Sequence, residues 1–163
     1  SVMKIAPTSA LALLEDAAGA ARPLFAQEGI PFEVQAIGEL PVIHVDSDRI
    51  LRVFSNLLDN ARKFTVAPGQ AMLRAEADAA GVRYCVANSG PALPAKELES
   101  MFKPFWQAGR GDLRGAGLGL SICRSIVEAH GGSIWAEPVA GMRVRICFLL
   151  PSAKPAAFAA PPV

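Results

Sequence analysis

The chain lacks most of the features that announce a function from composition alone. Its acidic and basic residues nearly cancel, leaving a net charge of +1 and no electrostatic footprint for nucleic acid or an anionic membrane. No apolar run approaches the ~20 residues that span a bilayer, and the chain does not open with the pattern of a secretory signal. His44 and His130 are its only histidines, and by spacing they form no metal cluster with the three cysteines. Cys85, Cys123 and Cys147 are far apart and odd in number, and they sit in apolar runs. Buried free thiols are therefore expected, with a reducing, cytoplasmic setting. There are no internal repeats. Because it starts at Ser1, the chain reads as a piece of a longer protein.

What the chain does have is 163 residues, 52% of them apolar, enough for one domain with a genuine core. Its most informative stretch is Asp48–Thr65, DRILRVFSNLLDNARKFT. Asp46 and Ser47 are candidate N-caps, and Asp48 places a carboxylate in the first turn, where the helix dipole favours it. At about 100° per residue, Ile50, Val53, Phe54, Leu57, Ala61 and Phe64 gather on one apolar face. Asn56, Asn60 and Lys63 fall within roughly 60° of one another at the edge of that face. Asparagine is a mediocre helix former, because its side chain competes for backbone groups. A stacked pair beside a lysine reads either as ordinary helix surface or as a ligand-facing wall.

Around this helix the chain alternates without a regular βαβ order. Residues 8–28 carry helical signals, with Thr8 or Ser9 as cap and Leu11, Leu14, Ala18 and Ala21 at helical spacing. Pro23 is expected to kink or divide that helix. Extended segments follow at Phe32–Ile37 and Val42–Val45. Beyond the Pro68-Gly69 turn, Gln70–Ala77 and Val82–Asn88 read as a hairpin whose second strand is central. Ala95–Met101 is a short helical turn, and Gln107–Ala116 is glycine-rich and polar, as for a mobile loop. Gly117–His130 is a helix with Leu118, Leu120, Ile122, Ile126 and Val127 inward, ended by a left-handed cap at Gly131-Gly132. Ser133–Glu137 and Met142–Leu150 form a closing hairpin. The pattern is α+β, a two-layer sandwich with a mixed, mostly antiparallel sheet and about three helices on one face. Residues 1–150 form the domain, and 151–163 have too little to bury and read as a disordered tail.

Two further clusters carry chemistry. In Gly115-Ala116-Gly117-Leu118-Gly119-Leu120, alternate glycines let backbone N–H groups approach an anion where a helix begins. A Rossmann reading fails because no strand leads into it, and a Walker A reading fails for want of GK[ST]. A phosphate cradle of another kind remains, as does close helix packing. Asn88-Ser89-Gly90 closes the central strand; it reads as a plain turn or as a buried amide set to meet a ligand's edge.

Four blocks occur in a fixed order: NLLDNARKFT, VANSGPALP, MFKPF and GAGLGLSI. Together they resemble the N, G1, F and G2 boxes of the ATP-binding catalytic domain of sensor histidine kinases. These belong to the wider superfamily (GHKL, Bergerat fold) of gyrase, mismatch-repair and heat-shock chaperone ATPases. The resemblance covers roughly Leu11 to Pro151. It implies ATP and Mg²⁺ as cofactors, with Asn60 on the metal, Asn56 beside it, Lys63 against phosphate charge and Phe64 lining the nucleotide pocket. It also implies Asn88 and Gly90 at the base, and Gly115, Gly117, Leu118, Gly119 and Leu120 around the phosphates. Arg110 or Arg114 would be a lid contact, and Phe102 and Phe105 would help dock the partner helices, unless they are simply core aromatics.

Hydrolysing members of that superfamily carry a glutamate four residues before the metal-binding asparagine. This chain has Asn56, a neutral amide that cannot act as a general base. The resemblance therefore implies phosphoryl transfer to a histidine outside this chain, on a dimerisation domain of the same parent protein, and onward signalling to a response regulator receiver domain. No nucleic acid partner and no direct membrane contact of this fragment are implied. The G1 block departs from the family's D-x-G-x-G at Asn88 and Ala92. Asparagine keeps an acceptor oxygen but loses the charge-assisted bond. The alternative expectation is a degenerate domain that binds ATP weakly or not at all and signals through protein contacts.

Overall fold

Alternation along the middle strands decides which face of the sheet is covered. In β5 (Gly81–Asn88), Val82, Tyr84 and Val86 point into the core, whereas Arg83 and Cys85 point away. The same period holds in β4 (Ala71–Asp78), where Leu73 and Ala75 are buried beside half-exposed Arg74 and Glu76. It holds again in β7 (Val144–Pro151), with Ile146 and Phe148 inward. A computed structural model describes residues 2–106 and 119–153. Its main sheet has five strands in the order β2-β4-β5-β7-β6, with β2 at Phe32–Ile37 and β6 at Ser133–Glu137. Only β2 and β4 run parallel; the other pairs are antiparallel. The α+β sandwich expected from the pattern is the one found, and β5 is its central strand.

The covered face carries α1 (Ala10–Gln27), α2 (Ser47–Phe64) and α4 (Gly119–Ala129). The short helical turn expected at Ala95–Met101 is α3 (Ala95–Ser100), the fourth helix among the described residues. Phe54 of α2 meets Tyr84 and Phe148 edge-on, at centroid distances of 4.8 and 5.1 Å. Edge-to-face aromatic pairs contribute about 0.5–1.5 kcal/mol each beyond their buried area. The Tyr84 hydroxyl donates to the Ala10 carbonyl at 2.6 Å, tying the central strand to the start of α1. Burial without a charge partner pushes that phenol well above its ordinary pKa, so it stays a neutral donor.

Several expectations need correcting. Ala6–Ser9 forms a strand, β1, paired antiparallel with β3 (Val42–Val45) in a separate two-stranded sheet. Nothing in the run APTS alternates in hydropathy, so its pairing comes from tertiary context. Helix α1 runs unbroken through Pro23. Pro23 and Gly19 both lie on the exposed side, where solvent can take the Gly19 carbonyl that Pro23 leaves unbonded. The buried stripe of α1 is Leu13, Leu14, Ala17, Ala18, Ala21 and Phe25, whereas Leu11 is 42% exposed. In α4 the stripe is Leu120, Cys123 and Val127, with Ile122 and Ile126 at its margins.

The cysteines divide. Cys123 is free and buried, as expected. Cys85 and Cys147 are not free thiols: they stand directly opposite in the β5–β7 register and form a disulfide on the outward face of the sheet. Spacing gave no hint of this pair, because it depends on which strands become neighbours. The same outward face holds the ion pairs Arg83–Glu76 at 2.7 Å and Arg145–Glu137 at 2.9 Å. Strand β7 ends at Pro151, and residues 154–163, most of the expected tail, lie outside the described residues.

Asp46 caps α2. Its Oδ1 accepts from the Arg49 N–H at 3.2 Å and its Oδ2 from the Lys4 N–H at 2.9 Å. Burial alone would raise its pKa, but these two N–H donors and the Arg49 charge outweigh it and hold the carboxyl below its ordinary value. A depressed carboxylate stabilises the fold above its unfolded pKa of about 4 and loses that contribution as pH falls through the folded value. Asp46→Ala should therefore lower unfolding free energy by about 1–2 kcal/mol at neutral pH. Urea titrations should show the difference from the native chain shrinking below about pH 4.

Candidate functional site

The polar edge of α2 faces the start of α4. Asn56 Nδ2 donates to the Gly119 carbonyl at 3.3 Å, which joins the first predicted block to the end of the glycine-rich one. One turn earlier, the Cys123 thiol reaches the Val53 carbonyl at 3.8 Å. Burial raises that thiol to about 12, partly offset by a hydrogen bond from Asn56, so it is a packing group with no nucleophilic character. Asn60 is half-buried and Lys63 exposed on the same edge. The neighbouring carboxylate, Asp59, faces outward and pairs with Arg62 at 2.8 Å.

The far end of the seam is closed by His130, which is 1% exposed. Its Nε2 accepts the Asp46 N–H at 3.1 Å, and its Nδ1 lies 2.7 Å from the Ile126 carbonyl. That pattern assigns the proton to Nδ1 and occupies both nitrogens.

At the C-terminal end of α2, Phe64 meets the turn after β5. Asn88 is 2% exposed, and its Nδ2 donates to the Ser89 carbonyl at 3.1 Å. With the amide donor turned to its own chain, Oδ1 is the atom of that side chain suited to receive a ligand's N–H. Gly90 has φ +145, and a Cβ there would stand 3.4 Å from both Arg143 Cβ and the Phe64 carbonyl. Arg143, absent from the sequence-based set, places its guanidinium carbon 4.5 Å from the Phe64 ring centroid. An arginine after a glycine turn carries no local signal of such a position; only the return of β7 alongside β5 brings it there.

The two aromatics of MFKPF part company. Phe102 is buried, with the Arg124 guanidinium 4.9 Å from its ring centroid. Phe105 is 73% exposed and has φ +64, an unusual conformation for a bulky residue. Gly119 and Leu120 open α4, with Leu120 buried. Arg110, Arg114, Gly115, Gly117 and Leu118, together with the expected mobile loop, lie outside the described residues. A groove of about 380 Å³ between α1 and α2, lined by Ala17, Leu24, Leu51 and Leu58, holds none of the predicted residues.

Residues 45–154 match the family model described as histidine kinase-, DNA gyrase B- and HSP90-like ATPase. The chain belongs to this family. Within it, the likeness is to the catalytic ATPase domains of sensor histidine kinases. The adaptive-response sensory kinase SasA of Synechococcus sp. (strain JA-3-3Ab) is 37% identical over 131 residues, which is 79% of this chain and 35% of that protein. The chain thus spans about a third of the length of the curated relatives it matches. Among solved structures, the nucleotide-free catalytic domain of histidine kinase ThkA superposes with a TM-score of 0.82 at 32% identity. That match covers 92% of this chain and 97% of the other. ThkA has also been solved in complex with the response regulator protein TrrA, where the TM-score is 0.78 at 30% identity over 91% of this chain and 42% of that one. Full-length ShkA in complex with AMPPNP gives 0.82 at 31% identity, over 96% of this chain and 33% of that one. Members of this family bind ATP in histidine kinases, and among the described residues no helix is long and apolar enough to cross a membrane.

Gly90→Ala should strain the turn and press on Arg143 and Phe64. We expect a loss of about 1–3 kcal/mol in unfolding free energy, read by thermal or urea denaturation. Gly119→Ala, where a Cβ meets nothing within 4 Å, should be neutral or stabilising.

Proposed function

We propose that this chain is the ATP-binding catalytic domain of a cytoplasmic two-component sensor kinase. In this reading it transfers the γ-phosphoryl group of Mg·ATP to a histidine on a dimerisation domain outside this chain, and the phosphoryl group then passes to the receiver domain of a response regulator. The observation that carries the proposal is the α2–α4 contact, in which Asn56, on the same edge of α2 as Asn60 and Lys63, holds the first residue of α4. The TrrA complex of ThkA supports the receiver partner.

The donor set suits Mg²⁺ bound largely through phosphate. Asn60 offers a neutral amide oxygen, and among the described residues no group of three or more His, Cys, Asp or Glu forms a protein cage. Mg²⁺ commonly takes few protein oxygens alongside waters and phosphates. When bound, the ion neutralises charge that develops on the transferred group. Asn60 would hold it, Lys63 would balance phosphate charge, and Gly115, Gly117, Leu118, Gly119 and Leu120 would surround the phosphates, with Arg114 as a lid contact. Asn88 Oδ1 would accept from the adenine amino group, with Gly90 and Phe64 beside the ring.

The residues of the α2 edge favour transfer over hydrolysis. Asn56 cannot take a proton from water, and Asp59 is turned away and paired with Arg62. His130 is committed through both nitrogens and His44 stands in β3, outside the four blocks, so this reading assigns the acceptor histidine to another domain. Phe105, exposed and held at positive φ, is the residue we assign to docking of that domain; Phe102 supports it from the core.

Calorimetry with Mg·ATP should give micromolar-to-millimolar binding that Asn60→Ala abolishes, and Asn88→Asp should bind at least as tightly as the native chain. The isolated chain should not label itself with γ-³²P-ATP, but should label a separately supplied dimerisation domain of its own parent protein. Absence of nucleotide binding by the native chain, restored only in Asn88→Asp, would sink the proposal.

A further inference from the structure

Arg143 lies in the link between β6 and β7 and meets three segments of the chain. Its N–H donates to the Asn88 carbonyl at 2.8 Å, and its carbonyl accepts from the Leu93 N–H at 3.1 Å. Its side chain crosses the place where Gly90 lacks a Cβ, which would stand 3.4 Å from Arg143 Cβ and 3.6 Å from Cδ. The guanidinium then ends 4.5 Å from the Phe64 centroid. The backbone bonds fix the position and are indifferent to the side chain. An apolar residue would pack against Phe64 but could not present a cation to a ring. A guanidinium offers something different: a flat, weakly hydrated cation that stacks on aromatic faces, purines included.

Building on the nucleotide-binding reading above, we propose that Arg143 is a nucleobase-binding residue. Guanidinium and Phe64 ring together form a cationic stacking platform for the purine, while Asn88 meets its edge. Phe64 stands eight residues, about 12 Å, along α2 from Asn56 and its contact with Gly119, and its carbonyl lies beside the Gly90 turn that follows Asn88. The platform acts on the ring, so its contribution should not depend on how many phosphates the nucleotide carries.

The test is a calorimetric titration of the native chain, Arg143→Ala and Arg143→Lys with Mg·ATP and Mg·ADP at low and high salt, with thermal melts as a check of folding. Arg143→Ala should weaken ATP and ADP by the same factor, about three- to thirtyfold. Because a stacked contact is less screened than a phosphate pair, that factor should persist at high salt. Arg143→Lys keeps the charge without the plane and should lose most of the same amount. Should Arg143→Ala melt too low to assay, Arg143→Met, which keeps a long stem over Gly90, must show the same uniform loss. A loss larger for ATP than for ADP, or one that fades in high salt, would make Arg143 a phosphate contact and overturn the proposal. Unchanged affinity in a folded variant would overturn it too, leaving the nucleotide-binding reading intact. A native chain that binds neither nucleotide would remove both.

Discussion

His130 holds the two helices of the site in register. Its ring bridges the last turn of α4, through the Ile126 carbonyl, and the first turn of α2, through the Asp46 N–H. Asp46 in turn caps α2 and gathers the Lys4 N–H, so the N-terminal segment, α2 and α4 meet at one buried polar knot. A second bond, from Asn56 to Gly119, pins the same pair of helices about ten residues away along each. Between the two pins, Cys123 and Val127 pack against the apolar side of α2. Removing one partner would leave a buried polar group unsatisfied, a penalty of about 1–3 kcal/mol. The angle at which the amide edge of α2 meets the start of α4 thus depends on a histidine that takes no part in the proposed chemistry.

The proposed base end of the site is built by a different principle. Asn88 stands where the family pattern has aspartate, and its amide nitrogen is turned inward to the Ser89 carbonyl. The side chain keeps an acceptor oxygen for recognition, the feature an aspartate and an asparagine share, and carries a second N–H besides the one given to Ser89. The substitution removes a charge while keeping the acceptor. In the proposed reading the phosphate end relies on the neutral amides of Asn56 and Asn60, with Lys63 as a cation on the same edge of α2. Both ends rest on rigid elements, a helix and the end of a central strand, which is the support that precise ligand geometry needs.

Much of this was legible in the chain because it is written in local periodicity. The stripe of α2 with its amide edge, the alternation of β5, and the Gly131 cap at φ +75 all follow from spacings of two to four residues. What was not legible depends on which distant segments become neighbours. The Cys85–Cys147 bond exists because β5 and β7 pair at that register, and β1 because APTS finds β3. Pro23 is tolerated because its face of α1 looks outward. Arg143 reaches Phe64 only through the β6–β7 return. The same limit kept Phe102 and Phe105 together on paper, although one belongs to the core and the other to the surface.

The strand order also sets a sequence of events during synthesis. β4 and β5 can pair as soon as they emerge, but β5 is flanked on its other side by β7, whose residues start at Val144. Asn88 stands opposite Val144, and its carbonyl is bonded by Arg143, so the proposed base end is unfinished until nearly the whole domain has been made. Such non-local pairing is slow, because the chain must close a long loop before any contact rewards it. Until then the apolar side of β5 has no neighbour along one edge and offers itself to other chains. If the proposed base site is right, a nascent chain of this domain has no complete site for a nucleotide, which can favour the folded state only after β7 has joined the sheet.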